Sequence, residues 1–139
     1  MRSPERRTVF TGTGSHIPAR RVANEAFLGN RFYLDYGAPC DPADNPRIID
    51  KFRDITAISE RRWVDDGAVA SDIATDAAAK AIAAAGIDPE TLDYLIVAHN
   101  FGDVRSDNRR TDLVPSLAAR VKQGLAIANP ECVAYDLPF

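Results

Sequence analysis

The sequence predicts an α/β fold in which helices cover a mostly parallel sheet. Apolar runs rich in β-branched residues alternate along the chain with amphipathic helical patterns. The resulting order of strand, helix, strand, helix, strand is typical of parallel strands joined by right-handed crossovers. The composition agrees, because 139 residues with 45% hydrophobic and 27% charged side chains are typical of a globular protein.

The first third of the chain contains one predicted strand and two predicted helices. Residues 8–14 are predicted as a strand, because β-branched and aromatic residues there end in a glycine turn. Residues 24–28 are predicted as a short helix with Asn24 as its N-cap. Prolines, glycine and aspartates predict a loop over residues 29–46. A helix is then expected from Arg47 onward, where apolar residues recur at helical spacing.

The clearest helix is predicted over residues 71–85, with Ser71 as its cap and Gly86 as its left-handed stop. Its apolar stripe is mostly alanine, so this helix must pack closely against its neighbour. Residues 92–98 form a continuous apolar run, which is typical of a strand buried on both faces. A second amphipathic helix is predicted from Pro115, and a third strand over residues 132–137.

Composition and charge exclude several classes of protein. A net charge of −3 argues against a dedicated nucleic-acid binder, and no apolar run is long enough to span a membrane. The basic N-terminus lacks the apolar stretch of a secretory signal, so we expect a cytoplasmic protein with reduced thiols at Cys40 and Cys132. The histidines His16 and His99 have no partner at metal-ligand spacing, so we expect no metal site.

Several motifs have both a functional and a structural interpretation. Gly12-Thr13-Gly14 follows a predicted strand, but a third glycine is missing and Pro18 disfavours a following helix, so a structural turn is favoured over a phosphate cradle. Cys132 and Cys40 lack a neighbouring base or cation, so both are expected to be inert. His99, with Asn100 beside it, ends the central strand, and ligands often bind at such an edge. A functional role for this histidine is therefore open, but a structural role is favoured. The structural role is favoured more strongly for His16.

Charged groups have two interpretations as well. They are most simply solvated surface, although cationic loops could also receive an acidic carrier protein or a phosphate-bearing cofactor. The groups are Glu60-Arg61-Arg62, Asp65-Asp66 and Arg109-Arg110.

In order along the chain, a set of segments resembles the N-terminal half of 3-oxoacyl-ACP synthase III, a condensing enzyme of the thiolase superfamily. The matching segments include Gly12-Thr13-Gly14-Ser15-His16-Ile17-Pro18, Ile55-Thr56-Ala57-Ile58-Ser59-Glu60-Arg61-Arg62, Ala98-His99-Asn100-Phe101-Gly102-Asp103 and Ala134-Tyr135-Asp136-Leu137. The resemblance covers nearly the whole chain. It implies that residues 1–139 are a thiolase-like half-domain, that the C-terminal half is absent, and that the full protein is a homodimer.

The resemblance also implies a reaction: an acyl group moves to a cysteine, and a malonyl thioester then attacks it with loss of CO₂. The family pattern puts the nucleophilic cysteine just after Phe139 and the catalytic histidine and asparagine in the missing half. No catalytic residue is therefore expected within residues 1–139. Acyl-CoA or acyl-ACP and a malonyl thioester are the implied substrates, acyl carrier protein is the implied partner, and no permanently bound cofactor is expected.

Two departures from the family pattern bear on the substrate. The tryptophan and arginine that hold the adenine of CoA in the family align with Lys51 and Ile55, and a family glycine aligns with Ala57. These replacements favour a carrier other than CoA. The family residue that closes the acyl pocket of the partner subunit is often aromatic and here is Val114, which predicts room for a longer or branched chain.

Two alternatives remain open. One is a related condensing enzyme of secondary metabolism or hydrocarbon synthesis. The other is a non-catalytic α/β binding or regulatory module that is complete at this length.

Overall fold

The described residues form two compact units. The computed structural model describes residues 7–108 and 110–139, so Arg109 of the predicted charged groups lies outside them. Ile17–Asp65 form one unit, called here the small unit, and residues 7–16 and 66–139 form the other, the large unit. No helix in these two ranges is both long and apolar enough to cross a membrane.

The small unit contains an antiparallel strand pair and one helix. Strand β1 (Arg20–Ala23) pairs with β2 (Glu60–Trp63), in the register Arg20 to Trp63 and Ala23 to Glu60. The sequence analysis missed both strands, because consecutive charged residues in these four-residue segments leave no period-2 alternation of apolar and polar side chains. Between them lie a 3₁₀ helix (Asn24–Phe27), a second one (Pro42–Asp44) and helix α1 (Asn45–Thr56).

Helix α1 confirms the helix predicted from the spacing of Ile48, Ile49, Phe52 and Ile55. Pro46 lies in its first turn, where the missing N–H costs no hydrogen bond. The helix ends at Ala57, whose φ of 55° is left-handed. A glycine would adopt this conformation without the steric cost of a Cβ.

The predicted N-cap role of Asn24 is wrong. Ala23 precedes the 3₁₀ helix, and the Asn24 side chain points elsewhere: its Nδ2 donates to the carbonyl of Ile58 at 2.8 Å and its Oδ1 accepts from Arg61 Nη1 at 2.7 Å. The backbone N–H of Asn24 also donates to the Ser59 carbonyl at 3.1 Å. Asn24 therefore ties β1 to the segment that enters β2, a long-range role that local capping statistics do not anticipate.

The large unit contains a two-stranded parallel sheet and two helices. In chain order the elements are α2 (Ala70–Ala85), a 3₁₀ turn (Pro89–Thr91), β3 (Tyr94–His99), α3 (Leu117–Gly124) and β4 (Val133–Pro138). Strands β3 and β4 pair in parallel, from Tyr94 with Val133 to His99 with Pro138, which confirms the parallel pairing predicted for these two strands. Buried residues of β3 and α3 form the core with Ile127 and Cys132.

The first predicted strand, residues 8–14, is not a strand in the structure. These residues have no regular secondary structure and no ladder partner among the described residues, and Phe10 is fully exposed. A β-branched run lowers the cost of an extended backbone but does not supply the neighbouring strand that a ladder needs.

Residues 12–14 instead lie against α2. A Cβ placed on Gly12 would lie 2.5 Å from the Ala81 carbonyl oxygen and 2.5 Å from the Ala85 nitrogen, and one on Gly14 would clash with backbone atoms of Ala77 and Ala81. The alanine face of α2 and the two glycines together permit this approach, which confirms the expected close packing of the helix.

Helix α2 ends as predicted but begins differently. Gly86 adopts a φ of 65° and its N–H donates to the Ile82 carbonyl, as expected of a glycine stop. Val69, rather than Ser71, is the N-cap, and the Asp72 carboxylate accepts the Val69 N–H at 3.0 Å. Ser71 lies inside the first turn and binds Asp103 instead, so a tertiary contact replaces the predicted local cap.

Burial of β3 on both faces is also a wrong prediction. Leu95 and Val97 face the core, whereas Tyr94 and Ile96 on the other face are 61% and 63% exposed. The aromatic rings of Tyr94 and Tyr135 stack on this open face with centroids 6.1 Å apart. Successive side chains of a strand point to opposite faces, and in the described residues helices pack on only one face of the pair.

Candidate functional site

The candidate site lies at the carboxyl ends of β3 and β4, next to the N-terminus of α3. Parallel strands end at the same edge of a sheet, and ligands of α/β proteins usually bind there. His99 is the last residue of β3, and Asp136 lies in β4 opposite Val97. The structure brings these two side chains together, with His99 Nε2 3.1 Å from Asp136 Oδ2.

Asp136 connects β4 to the first turn of α3. Its Oδ1 accepts the Ala118 N–H at 2.7 Å, and its Oδ2 accepts the Leu117 N–H at 2.9 Å. Burial alone would raise the pKa of the Asp136 carboxyl, but these two N–H groups and His99 outweigh it, and the pKa lies below its usual value. Asp136 is thus an anion that compensates the positive end of the helix. No local sequence pattern indicates this contact, because 18 residues separate Asp136 from Ala118.

Asp136→Asn should lower the free energy of unfolding at pH 7 by about 1–2 kcal/mol, since a charge-assisted acceptor becomes a neutral one. The pKa of the Asp136 carboxyl is lower in the folded protein than in the unfolded chain, where it is about 4. The stabilisation is therefore fully present above the unfolded-state pKa and is lost as the pH falls through the folded-state pKa. Urea unfolding of both proteins at several pH values between about 7 and 3 measures the difference. A difference that stays constant over this range would contradict the assignment.

His99 and Asn100 both contact the segment that follows Asp136. The His99 side chain is only 8% exposed, and neither of its ring nitrogens has a partner with hydrogen-bond geometry in the part of the chain that the structure describes, so the 3.1 Å approach of Nε2 to Asp136 is a close polar contact. The His99 carbonyl accepts the Phe139 N–H at 3.2 Å. Asn100 Nδ2 donates to the Phe139 carbonyl at 3.1 Å. The sequence analysis singled out this pair for its position, but it did not foresee these contacts.

His16, the other histidine, borders the same cavity as His99. His16 Nδ1 lies 2.7 Å from Asp76 Oδ2, so this imidazole also faces a carboxylate. The cavity has a volume of about 270 Å³ and its remaining lining is apolar. That lining consists of Ala70, Ile73, Ala74, Ala77, Val97, Ala98 and Leu117. In residues 7–108 and 110–139, no group of three or more His, Cys, Asp or Glu side chains is arranged to hold a metal ion.

The turn at Thr13-Gly14-Ser15 borders a separate cleft with Lys80. The Lys80 ammonium is engaged by the Asp76 carboxylate and by the Ser15 carbonyl at 3.3 Å. The glycines are accounted for by their contact with α2, which agrees with the structural interpretation of this motif.

A buried carboxylate fixes the loop that precedes α3. Asp103 is 1% exposed, and its oxygens accept the Ser71 N–H at 2.8 Å, the Ser71 hydroxyl at 2.6 Å and Arg120 Nη1 at 3.1 Å. Arg120 also contacts Asp112 Oδ2 at 3.0 Å, and backbone hydrogen bonds between Asp103 and Asp112 close the loop. The sequence analysis missed this cluster, because Asp103 is one of several aspartates in a polar segment.

Val114, the predicted substrate contact, lies just beyond this closed loop and is 84% exposed. Arg120 Nε donates to the carbonyl of the adjoining Pro115 at 2.9 Å, so the buried cluster also fixes the backbone beside Val114. Within the large unit, Val114 is therefore a projecting apolar side chain on a fixed backbone.

The cysteines occupy different environments. Cys132 is 2% exposed and packs in the core with Leu95 and Val121. The Lys122 ammonium donates to the backbone carbonyl of Cys132 at 2.6 Å, so the hydrogen-bond partner of this nearby cation is the Cys132 main chain. Cys40 is half-buried in a loop of the small unit. Both thiols are free, as the cysteine count predicts.

The small unit holds a cleft of about 670 Å³ beside α1, and Lys51 and Ile55 are in its lining, together with Cys40 and Arg47. A second cavity, of about 190 Å³, is bordered by aromatic rings and by Arg61. The solvated interpretation of Arg61 is wrong, because its guanidinium binds Asn24 and lies 5.2 Å from the centre of the Phe27 ring. A cation over an aromatic face is stabilised by the ring quadrupole, which makes Arg61 part of the packing of this unit.

Comparison with known proteins shows the same relationship in sequence and in structure. No family model matches the sequence. The β-ketoacyl-acyl-carrier-protein synthase III of Neisseria meningitidis serogroup C is 35% identical over 131 residues, which are 92% of this chain and 33% of that protein. The protein of the same name from Staphylococcus aureus is 52% identical over 50 residues, 36% of this chain and 16% of its own length.

Solved structures of related proteins superpose on most of the chain. The 3-oxoacyl-(acyl carrier protein) synthase III of Xanthomonas oryzae has a TM-score of 0.68 at 24% identity and covers 93% of this chain and 33% of its own. A variant of Xanthomonas campestris OleA has a TM-score of 0.69 at 24% identity, with 94% and 33% covered. At these identities the two structures define the fold alone.

The fold is therefore that of the thiolase-like α/β proteins. Within that class, the chain is homologous to 3-oxoacyl-ACP synthase III. It spans about a third of the length of the curated relatives that it matches over 131 residues.

Proposed function

We propose that the chain is the N-terminal part of a 3-oxoacyl-ACP synthase III-type condensing enzyme. The observation that carries the proposal is the 35% identity to such a synthase over 92% of the chain. The fold agrees with it, because a solved 3-oxoacyl-(acyl carrier protein) synthase III superposes on 93% of the chain at a TM-score of 0.68. A thiolase-like fold alone would support a condensing enzyme only by analogy.

In the proposed reaction, a cysteine thiolate just after Phe139 attacks the carbonyl of an acyl thioester, and the carrier thiol leaves. A malonyl thioester then loses CO₂, and its α-carbon attacks the acyl-cysteine and releases the thiol. Histidine and asparagine donors outside residues 1–139 stabilise the developing oxyanion. The proposed enzyme is a cytoplasmic homodimer. This chain supplies the scaffold beside the nucleophile and a wall of the acyl site.

The proposed acyl carrier is acyl carrier protein rather than CoA. The support comes from Lys51 and Ile55, which the resemblance aligns with the residues that hold the adenine of CoA. Neither side chain has the aromatic face on which an adenine stacks.

The decisive experiment is acylation of the full-length protein. Incubation with acyl-acyl-carrier-protein should give a cysteine adduct that intact-mass and peptide mass spectrometry place after Phe139, and addition of the malonyl thioester should release a 3-oxoacyl product. The same acyl group on CoA should react more slowly. If neither donor acylates the protein, the synthase is excluded and a non-catalytic binding or regulatory module takes its place.

Val114→Phe should shift the chain-length preference of the full-length enzyme towards shorter acyl groups. The proposed dimer puts this exposed side chain in the partner's acyl pocket, and a phenyl ring occupies the space of several methylenes. Since each methylene in an apolar pocket changes specificity about 10-fold or more, kcat/KM for the longest substrate should fall at least that much relative to the shortest. The neighbouring Leu113→Phe is the control, and an unchanged preference in Val114→Phe would refute the role.

A further inference from the structure

We infer that His99 and Asn100 are positioning residues that hold the backbone at Phe139, immediately before the proposed nucleophile. The inference rests on the proposed function for its chemical consequence, but its geometric basis is independent of it. Neither residue matches a catalytic position of the resembling family, and the sequence analysis left their roles open.

Asn100 supplies a contact that the sheet does not. The parallel ladder of β3 and β4 continues one step past its last strand pair, through the hydrogen bond from the Phe139 N–H to the His99 carbonyl. Any residue at position 99 could accept that bond with its backbone. The Phe139 carbonyl is held at 3.1 Å by the Asn100 amide, which requires a side-chain donor at position 100. Both backbone polar groups of Phe139 are thereby fixed.

His99 holds the same segment through Asp136, three residues earlier. Its imidazole is more than nine-tenths buried and lies 3.1 Å from the Asp136 carboxylate. That carboxylate also accepts two N–H groups of α3, so the position of β4 is tied to β3 on one side and to the helix on the other. A half-buried carboxylate is stabilised by such partners, and an apolar residue at position 99 would leave Oδ2 with the Leu117 N–H alone.

These contacts matter because covalent catalysis depends on the placement of the nucleophile. A displacement of about 1 Å can lower the rate of a positioned reaction by about 100-fold. The pairing of β3 with β4 sets the direction of the chain at the end of β4. The side chains of His99 and Asn100 further restrict the backbone conformation at Phe139. The His99-Asn100 pair therefore acts on rate rather than on substrate affinity.

The test uses Asn100→Ala in the full-length protein, with Asn108→Ala as a matched control. Asn108 lies in an exposed loop of the large unit, and among the described residues its Oδ1 accepts a hydrogen bond from the Arg110 N–H alone. We expect Asn100→Ala to lower kcat by about 10-fold or more, with KM within about 2-fold. The rate of alkylation of the reactive cysteine by iodoacetamide should change in parallel, and the thermal midpoint should stay within a few degrees of the wild type. Asn108→Ala should change none of these.

A second variant, His99→Gln, keeps a donor at position 99, so part of the activity should be retained. His99→Leu should lose more, and its folding is checked by the thermal midpoint. If kcat and the alkylation rate of Asn100→Ala equal those of the wild type, or if they fall only with the thermal midpoint, the inference is wrong.

Hydrogen exchange separates this inference from the proposed function. In Asn100→Ala the amide of Phe139 should exchange about 10-fold faster or more, because local opening is no longer resisted by the second hydrogen bond. Unchanged exchange at Phe139 would overturn the positioning role even in an active enzyme. Faster exchange in Asn100→Ala, combined with a wild-type protein that is never acylated, would support the geometric basis and refute the synthase.

Discussion

Replacing Asp103 by alanine is expected to lower the free energy of unfolding by about 3–5 kcal/mol, the usual cost of removing one partner from a buried ion pair. Ser71 loses acceptors for both its N–H and its hydroxyl, and Arg120 keeps its positive charge with one carboxylate fewer. The first turn of α2 and the loop before α3 both depend on this carboxylate. Urea unfolding of the full-length protein, followed by circular dichroism, measures the change.

Asp112→Ala is the matched control, because Asp112 contacts the same arginine from a half-exposed position. Surface ion pairs contribute little in water, so this variant should lose only a small part of what Asp103→Ala loses. Asp103→Asn separates charge from shape and should fall between the two. Equal losses in Asp103→Ala and Asp112→Ala would mean that Asp103 is no more than a surface partner of Arg120.

Gly14→Ala is expected to destabilise the large unit by about 1–3 kcal/mol, towards the upper end of the range for overpacking. The added methyl would overlap backbone atoms of Ala77 and Ala81, and a helix backbone cannot rotate away as a side chain can. Residues 12–14 must then lift off α2, which also disturbs the contact between His16 and Asp76. The thermal midpoint and the urea midpoint of the full-length protein report the loss.

Gly67→Ala serves as its control, because a Cβ at Gly67 meets no atom within 4 Å. Such a change is neutral, or stabilising by up to about 1 kcal/mol, since alanine restricts the unfolded chain. If Gly14→Ala is as stable as Gly67→Ala, residues 12–14 do not pack against α2 as the structure has them.

Periodicity predicted the elements whose apolar pattern can be recognised within a short segment. Helices α1, α2 and α3 follow the spacing of their apolar residues, and the strand runs near residues 92–98 and 132–137 are present with their ends shifted by one or two positions. Patterns of this kind depend on neighbours three or four residues away, which the sequence displays directly.

What the sequence did not predict depends on distant partners. The strand expected at residues 8–14 lacks the neighbouring strand that it would need. Strands β1 and β2 exist only because they pair with each other. Asn24 and Ser71 form long-range hydrogen bonds in place of the predicted local caps. The same holds for the candidate site. His99 stood out by its place after a strand, whereas Asp136 and Asp103 became visible only when contacts across the fold were known.

The chain order of the two units bears on how this protein can diversify. The small unit, Ile17–Asp65, interrupts the sequence of the large one between His16 and Asp66. On each side of the interruption, a contact within the large unit holds the chain in place. His16 contacts Asp76 on one side, and the Ser106 hydroxyl donates to the Asp66 carbonyl on the other. Each doubling of an inserted segment adds only about 0.6 kcal/mol of closure entropy. A change in the length of the inserted segment, and with it of the cleft beside α1, therefore costs the large unit little closure entropy.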